Sequence, residues 1–477
     1  MKHDFEKSVS LSIHAIQDLQ NEIAYITRLP NYPIDNSIAT SVYEQGGGFI
    51  CKFFLNRIHD FSIDQQPEIL GIGKDITLDK NGKEYLIKGD SLKETNIIFG
   101  EPQVITIKIG KLQTGNNEKF DNKNLRLIIP TKKEIDLSVF EFKSLKIRDS
   151  ITVAGLIEIS IDDQKYHLFK YKNEDEVKNY LAIESVGVDQ IINFKTNCKS
   201  IILGFGLITG NLFQDEYYFQ AIDNDEHTSV ENTIYEQQEK SIISDAPIFD
   251  PFRFKEYIDH IGKVSILRDI SLWLKPEIFS KLCTTIKSNN TIARCIQLIL
   301  EGNQTRLLLL RASIYSIAIE TMTNIVYEEN EDKENPIPDS KLAKLIREKI
   351  KACIEEYSEF ISDYGKSILY AKIQDINKPT NSKKLSKAFE LLGIRLSKSD
   401  LDILNHRNKF LHGTSPFEEI QLQEKTKEIS YISKKLHFMI TCLILKYIGY
   451  RGHIVNFAAW QQLHLKEQVT DHPYNII

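Results

Sequence analysis

Leu-Asp-Ile-Leu-Asn-His-Arg-Asn-Lys-Phe-Leu-His-Gly is the sequence of residues 401–413. Its apolar residues recur at intervals of three and seven positions, which is the spacing of one helix face. Gly413 follows the last of them, and glycine is the residue that most often ends a helix. The segment therefore predicts a helix that ends beside Arg407, Asn408 and His412.

The spacing of these three polar residues limits how they can act together. Asn408 and His412 are four positions apart and share a helix face. Arg407 and His412 are five positions apart, about 140° around a regular helix. They converge only if the helix unwinds at its end, and the left-handed conformation open to Gly413 permits such unwinding.

A guanidinium, an amide and an imidazole in one place match the needs of RNA cleavage, in which the ribose 2′-hydroxyl is the nucleophile. An imidazole with an unperturbed pKa of about 6.5 moves a proton at neutral pH, and a guanidinium holds two phosphate oxygens. His412 is thus the candidate proton-transfer residue, Arg407 the phosphate clamp and Asn408 an orienting group, with no metal or other cofactor. In the structural alternative, Arg407 pairs with an acid and His412 caps its helix.

Helical periodicity continues around this segment and predicts a bundle of at least four helices over residues 301–477. The segment Leu307–Val326 is apolar almost all round, which predicts a buried central helix. Ser415, Pro416 and Glu418 supply an N-cap, a first-turn proline and a capping-box glutamate for the last helix. The predicted helices are 307–326, 340–371, a short helix that ends near 393, 399–413 and 416–449.

Residues 1–245 have a different pattern, with short runs of β-branched and aromatic residues between turn sequences. Such runs without long helices between them predict an antiparallel sandwich or a curled sheet. The first thirty residues fit either a strand pair or a short helix. Gly204, Gly206 and Gly210 are predicted to lie in a turn or bulge before another strand. The clearest predicted strands are 49–55, 104–109 and 151–159, and the clearest turns are 79–82 and 114–117.

Residues 213–246 hold nine acidic residues against one lysine, a net charge of −8. Two interpretations stay open: an acidic lid over a basic RNA groove, or a final strand at 216–222 followed by a solvated linker. Residues 246–300 are predicted to form a helical connector. The chain is therefore predicted to be α+β, with a β-rich sensor or regulatory domain over 1–245 and a helical bundle over 301–477.

The composition is that of an ordinary globular protein, and its 477 residues suffice for two or three domains. The net charge of −6 argues against a general nucleic-acid coat protein, so RNA contact requires a local basic patch. Residues 370–400, with seven Lys/Arg against three acids, could be that patch or an exposed helix face. Six scattered cysteines, no signal peptide and no long apolar run predict reduced thiols, no membrane span and a cytoplasmic location.

Several short motifs of the second half resemble the HEPN region of ApeA-type bacterial anti-phage proteins. They are Leu391-Leu392-Gly393, Leu396-Ser397 with Asp400, Arg407-Asn408 and His412-Gly413. HEPN nucleases carry an arginine, a polar residue and a histidine at this spacing between helices of a four-helix bundle. The resemblance covers residues 300–460, and the β-rich first half suits the N-terminal region of that family in architecture alone.

The resemblance implies a metal-independent endoribonuclease that cuts RNA, tRNA included, and leaves 2′,3′-cyclic phosphate and 5′-hydroxyl ends. It further implies a homodimer with a composite active site and a role in anti-phage defence by abortive infection. Because an unrestrained ribonuclease harms its host, the N-terminal domain is expected to sense a phage-derived activator or to restrain the nuclease. HEPN domains often set an acidic residue of an earlier helix against the arginine, and Glu320 is the candidate here. The alternative is a non-catalytic HEPN-type bundle that dimerises or binds nucleic acid.

Overall fold

A computed structural model describes most of the chain and has the predicted α+β architecture, an antiparallel β-sheet region followed by a helical region. The described residues are 5–20, 23–28, 38–44, 48–55, 75–80, 83–98, 103–141, 143–148, 151–172, 178–223, 229–248, 274–330, 335–377, 381–411 and 425–477.

The chain divides into two compact units. The first comprises Met1–Ala246 with Asp250–Ala293, and the second Pro247–Phe249 with Arg294–Ile477. The first boundary lies one residue from the predicted one at 245. The segment 246–300, expected to be a helical connector, is divided between the units after Ala293, and its helix Pro276–Ser288 packs within the first unit.

The strands of the first unit join in one sheet of fifteen among the described residues, with antiparallel pairing throughout. Its strands, in chain order, are β1 Ile23–Arg28, β2 Ile38–Glu44, β3 Phe49–Leu55, β4 Ile76–Lys80, β5 Lys83–Ile87, β6 Leu92–Ile98, β7 Gln103–Ile109, β8 Lys111–Thr114, β9 Lys123–Thr131, β10 Lys143–Arg148, β11 Ile151–Ile161, β12 Gln164–Lys172, β13 Asn179–Asp189, β15 Glu216–Ile222 and β16 Val230–Gln237. A separate short pair consists of β14 Asn211–Leu212 and β17 Ile242–Ile243.

The β15–β16 hairpin joins two runs of strands. Across the sheet the order is β10-β11-β12-β13-β9-β15-β16-β8-β5-β4-β1-β2-β3-β7-β6. The described part of the acidic segment 213–246 contains three paired strands, β15, β16 and β17. The strand predicted at 216–222 is confirmed, and the solvated linker expected after it is wrong, because β16 lies there. Two acids of this segment form ion pairs within the first unit: Glu231 lies 3.0 Å from Lys123, and Glu236 lies 2.7 Å from Lys195.

The amino-terminal residues form helix α1, Phe5–Gln20, which decides between the two expectations for this segment. Val9, Ile13 and Ile16 recur at helical spacing and are buried in the main core. The helix contacts both β2 and β16, five positions apart in the sheet order. In a flat sheet that separation is about 24 Å, twice the width of a helix, so the sheet curls around α1.

Two further helices of this unit pack together, α2 Ile191–Thr209 and α3 Pro276–Ser288. The turn expected around Gly204 and Gly206 is wrong, because both lie inside α2. A Cβ on Gly204 would already touch Cys283 of α3 at 3.4 Å, so glycine permits close packing of the helices. Gly210 ends α2 in the left-handed conformation, with φ of 72°.

The second unit is helical, as predicted. Its described helices are α4 Asn290–Gly302, α5 Leu308–Glu328, α6 Ser340–Glu356, α7 Asp363–Gln374, α8 Asn381–Leu391, α9 Lys398–Leu411, α10 Thr426–Tyr447 and α11 Phe457–His464, and a small hairpin consists of β18 His453–Val455 and β19 Tyr474–Ile476. Helix α5 packs against α8, α9 and α10, which confirms a bundle of at least four helices.

Three details differ from the predicted helices. Helix α5 is not buried all round, because Leu307, Leu310 and Ile317 are 68%, 47% and 45% exposed. The predicted helix 340–371 is broken into α6 and α7, since Ser362 accepts a hydrogen bond from the Gly365 N–H and caps a new helix. The start signal at Ser415–Pro416 lies outside the described residues, which resume at 425.

Candidate active site at the end of helix α9

A capping box fixes where α9 begins. The Ser397 N–H donates to Asp400 Oδ2 at 2.8 Å, and the Asp400 N–H donates to Ser397 Oγ at 3.1 Å. These two reciprocal bonds satisfy donors that a helix start leaves open. They set the register of α9 and therefore which of its residues face the bundle.

Arg407 faces the bundle two turns further along α9. Its side chain is 2% exposed, and Nη1 lies 3.1 Å from Glu320 Oε2 on α5. The Glu320 side chain is 36% exposed, so the ion pair runs from the interior toward the surface. The acidic residue expected opposite the arginine is thus in contact with it.

Among the residues that the structure describes, the guanidinium of Arg407 has Glu320 as its ion-pair partner. Burial lowers its pKa and the adjacent Glu320 carboxylate works against that shift, but an arginine side chain keeps its charge at any physiological pH. Arg407 Nε finds no hydrogen-bond acceptor among the described residues. Within the described part of the chain, one carboxylate is thus the ion-pair partner of a fork with five N–H donors.

The last turn of α9 is also tied to α5. The Ser313 hydroxyl lies 3.1 Å from the Phe410 carbonyl oxygen and 2.9 Å from the Leu309 carbonyl oxygen, so the two acceptors share one donor. The Phe410 side chain is buried beside this contact. The carboxyl end of α9 thus has a fixed position on α5.

The other two candidates cannot be placed as fully. Asn408 is a helical residue of α9, and its side chain is outside the described part of the structure. His412 lies in the range 412–424, outside the described residues. The predicted convergence of Arg407 and His412 therefore stays a prediction.

The basic segment before α9 is partly used within the bundle. Lys384 lies 5.1 Å from the ring centre of Tyr327, and Lys387 lies 3.0 Å from Glu390. Phe389 is buried in the core and therefore cannot stack on a base, whereas Tyr364 is 77% exposed. Both interpretations of residues 370–400 remain open.

A buried ion triad that was not predicted from the sequence lies at the other end of α9. Lys435 of α10 is 1% exposed and lies 2.9 Å from Asp400 and 2.6 Å from Asp471. Burial works to lower the pKa of Lys435, but the two carboxylates outweigh it and hold the pKa above its ordinary value. One sequence signal was present, since Lys435 lies among the apolar positions Ile432 and Met439 at helical spacing.

The described residues contain no cluster of His, Cys, Asp and Glu that could hold a metal ion. Within the same residues, no helix has the length and apolar character needed to cross a bilayer. Cys51, Cys198, Cys283, Cys295 and Cys442 are buried free thiols, and Cys353 is an exposed one.

Comparisons of the chain with protein-family models, with curated proteins and with solved structures find no match. Its function has to be argued from its own residues.

Proposed function

We propose that this chain is a metal-independent HEPN-type endoribonuclease with Arg407, Asn408 and His412 as its catalytic residues. The observation that carries the proposal is Arg407, a buried cation whose one ion-pair partner among the described residues is Glu320, on the helix that leads directly into His412. Structural arginines in protein interiors usually have most of their donors satisfied. An arginine left with spare donors at a helix end is suited to a phosphate.

The proposed reaction is an internal transesterification. His412 accepts the proton of the ribose 2′-hydroxyl, the 2′-oxygen bonds to the adjacent phosphorus, and the bond from phosphorus to the 5′-oxygen breaks. The departing 5′-oxygen takes a proton from water, His412 releases its proton to water, and the products are 2′,3′-cyclic phosphate and 5′-hydroxyl ends. Arg407 stabilises the added negative charge on the phosphate, and Glu320 orients the guanidinium.

The 2% exposure of Arg407 has a direct consequence for this reaction. A phosphate reaches the guanidinium only after local movement around the end of α9. The partly exposed Glu320 carboxylate can turn toward water at small cost, because it is not itself sealed in the core. The described arrangement is thus a resting state in this proposal.

A homodimer with a composite active site is the proposed assembly. Its support is the exposed apolar side of α5, where Leu310 and Ile317 stand on the helix that carries Glu320. Ile317 is three residues from Glu320, so a second copy that covers this side would bring two Arg407–Glu320 pairs close to each other. Exposed apolar patches of this kind mark interaction sites.

The proposed biological role is bacterial anti-phage defence by abortive infection, in the cytoplasm, with RNA such as tRNA as substrate. The first unit is the proposed sensor of a phage-derived activator, because a ribonuclease without restraint would harm its host. This role rests on the resemblance of residues 300–460 to ApeA-type proteins.

The test is RNA cleavage by the full chain in EDTA, with and without an extract of phage-infected cells. Wild type should cut tRNA or total RNA and leave 2′,3′-cyclic phosphate ends. Arg407→Ala and His412→Ala should each lose about 100-fold or more in rate. Arg306→Ala is the matched control, because Arg306 is an exposed arginine of the same unit. This variant should cut RNA at the wild-type rate. Undiminished cleavage by both variants would place the chemistry elsewhere.

The second candidate is a non-catalytic module that dimerises or binds nucleic acid, and the burial of Arg407 against Glu320 favours it. In that case Arg407 only links α9 to α5. Wild type would then shift RNA in a gel or form dimers but leave the RNA intact, both with and without the extract.

A further inference from the structure

A cavity of about 590 Å³ lies within the second unit, at the amino-terminal end of α9. Its walls come from the turn between α8 and α9, from α10 and from the carboxyl-terminal segment. Small-molecule sites are typically cavities of roughly 300–1,000 Å³ with apolar walls and a few fixed polar groups. This cavity has both kinds of surface.

Part of the cavity wall is apolar and includes aromatic rings. Phe389, Leu396, Phe438 and Met439 line the space, and the two phenylalanines are 0% and 6% exposed. Aromatic and thioether groups at a buried wall favour a planar aromatic ligand.

The inner end of the cavity is charged and rigid. Asp400, Lys435 and Asp471 line it, and the Lys435 ammonium also lies 5.3 Å from the ring centre of Phe438. Two carboxylates share one ammonium, so the triad has a net charge of −1. Asp400 is 7% exposed, and its Oδ1 has ion-pair contact with Lys435 but no hydrogen bond of normal geometry among the described residues. A ligand that fits this end has two adjacent hydrogen-bond donors for a carboxylate and a hydrogen-bond acceptor for the Lys435 ammonium.

The outer end carries two more basic groups. Arg395 and His472 line the rim and are exposed to solvent. A guanidinium at the mouth of an aromatic cavity is suited to a phosphate, which it can bind through two parallel hydrogen bonds.

We propose that this cavity binds a guanine nucleotide, with the base against Leu396 and Phe438 and the phosphate toward Arg395. Guanine presents N1–H and the N2 amine side by side, which matches one carboxylate, and O6 beside them, which matches the Lys435 ammonium. Adenine presents an acceptor where guanine has N1–H and would set it against a carboxylate. The site is separate from Arg407 and does not depend on ribonuclease activity.

The test is calorimetric titration of the full chain with GMP, AMP and IMP. GMP should bind at a single site, and AMP should bind about tenfold or more weakly, because a bidentate contact is worth about 1–3 kcal/mol in discrimination between bases. IMP lacks the N2 amine and should fall between them. Absence of saturable GMP binding, or equal binding of GMP and AMP, would overturn the proposal.

Variants then locate the site. Asp471→Asn should weaken GMP binding about tenfold while Arg306→Ala leaves it unchanged. Arg395→Ala, which removes an exposed side chain and should fold normally, should weaken GMP but not guanosine. If Arg395→Ala and a folded Asp471→Asn both bind GMP like wild type, the cavity is not the site and the proposal fails.

A competition arm distinguishes the source of the guanine. Displacement of GMP by a guanosine-containing RNA oligonucleotide, but not by oligoadenylate, would assign the site to a base of an RNA chain. Retention of GMP against both oligonucleotides would assign it to a free nucleotide.

Discussion

Arg126 and Arg407 are both buried, but the neighbouring residues satisfy their charges and hydrogen-bond donors to different degrees. Arg126 donates to Glu184 through Nε and Nη2, and its remaining donors reach Ser8 and Ser12 of α1. Arg407 has Glu320 as its one ion-pair partner among the described residues. The first arrangement fastens α1 to the sheet, whereas in the second Arg407 Nε has no acceptor among the described residues.

This contrast predicts different stability losses for the same substitution. Arg126→Met leaves Glu184 buried without its cation and should lower the free energy of unfolding by about 3 kcal/mol or more. Arg407→Met should change it by less than about 1 kcal/mol, because the partly exposed Glu320 can be hydrated. Urea unfolding followed by circular dichroism measures both. Equal losses would mean that Arg407 is as structural as Arg126.

The ion pairs of Glu236 predict how the free energy of unfolding changes at low pH. Its burial would raise its pKa, but the ammonium groups of Lys195 and Lys111 outweigh the burial and leave the pKa lowered. A carboxyl with a lowered folded-state pKa stabilises the fold above its unfolded pKa of about 4.3, and the effect disappears as pH falls through the folded value. Glu236→Gln should therefore cost about 2 kcal/mol at pH 7 and progressively less below pH 4.

The measurement is the free energy of unfolding of wild type and Glu236→Gln at several pH values. Glu118→Gln, at an exposed position on the same unit, is the control and should show no such trend. A difference between Glu236→Gln and wild type that stays constant down to pH 3 would contradict the assigned ion pairs.

Helix α2 shows what the sequence could and could not predict about elements. Strand β3 was predicted with its observed bounds, 49–55, because it is a short β-branched and aromatic run between turns. Helix α2 was missed because its second half is buried on nearly every side, which removes the polar stripe that reveals a helical period there. Its two internal glycines then suggested a turn, although Gly204 lets α3 approach and Gly206 faces Leu212 of β14.

The end of α2 gives a matched pair of glycine variants. Gly210 has φ of 72°, and a Cβ there would lie 2.4 Å from the Ser244 carbonyl oxygen. Gly187 also has a positive φ, but a Cβ there would meet nothing within 4 Å. Gly210→Ala should therefore destabilise the first unit by about 2 kcal/mol more than Gly187→Ala, since only it adds a clash to the backbone cost. Thermal unfolding of the two variants checks this.

The candidate site was predictable in part for a related reason. Arg407 follows from the helical spacing of α9 and its motif, whereas Glu320 was expected only from the resemblance to HEPN domains, which often set an acid of an earlier helix against the arginine. The Lys435 triad was not predicted, because Asp471 is 36 residues away and reaches Lys435 only through the path of the carboxyl-terminal segment. Tertiary pairing of this kind leaves no periodic trace in a sequence.

The two units have separate cores, which predicts separate unfolding. The first is built around α1 and the curled sheet, and the second around α5. Scanning calorimetry should resolve two transitions. Arg126→Met should lower one midpoint, and Lys435→Met, which leaves Asp400 and Asp471 without their cation, should lower the other. A single transition shifted by both variants would show that the units unfold as one.

The position of the β15–β16 hairpin has a consequence for the nascent chain. Strands β8 and β9 both depend on this hairpin for a neighbour, yet it is completed only at Gln237. At translation rates of 5–20 residues per second, roughly ten seconds pass between the emergence of β8 and that of its partner. During that interval the growing polypeptide exposes two open edges to other strands. We therefore expect chains truncated between 131 and 216 to aggregate, and a ribosome-associated chaperone to hold the full-length chain until the sheet closes.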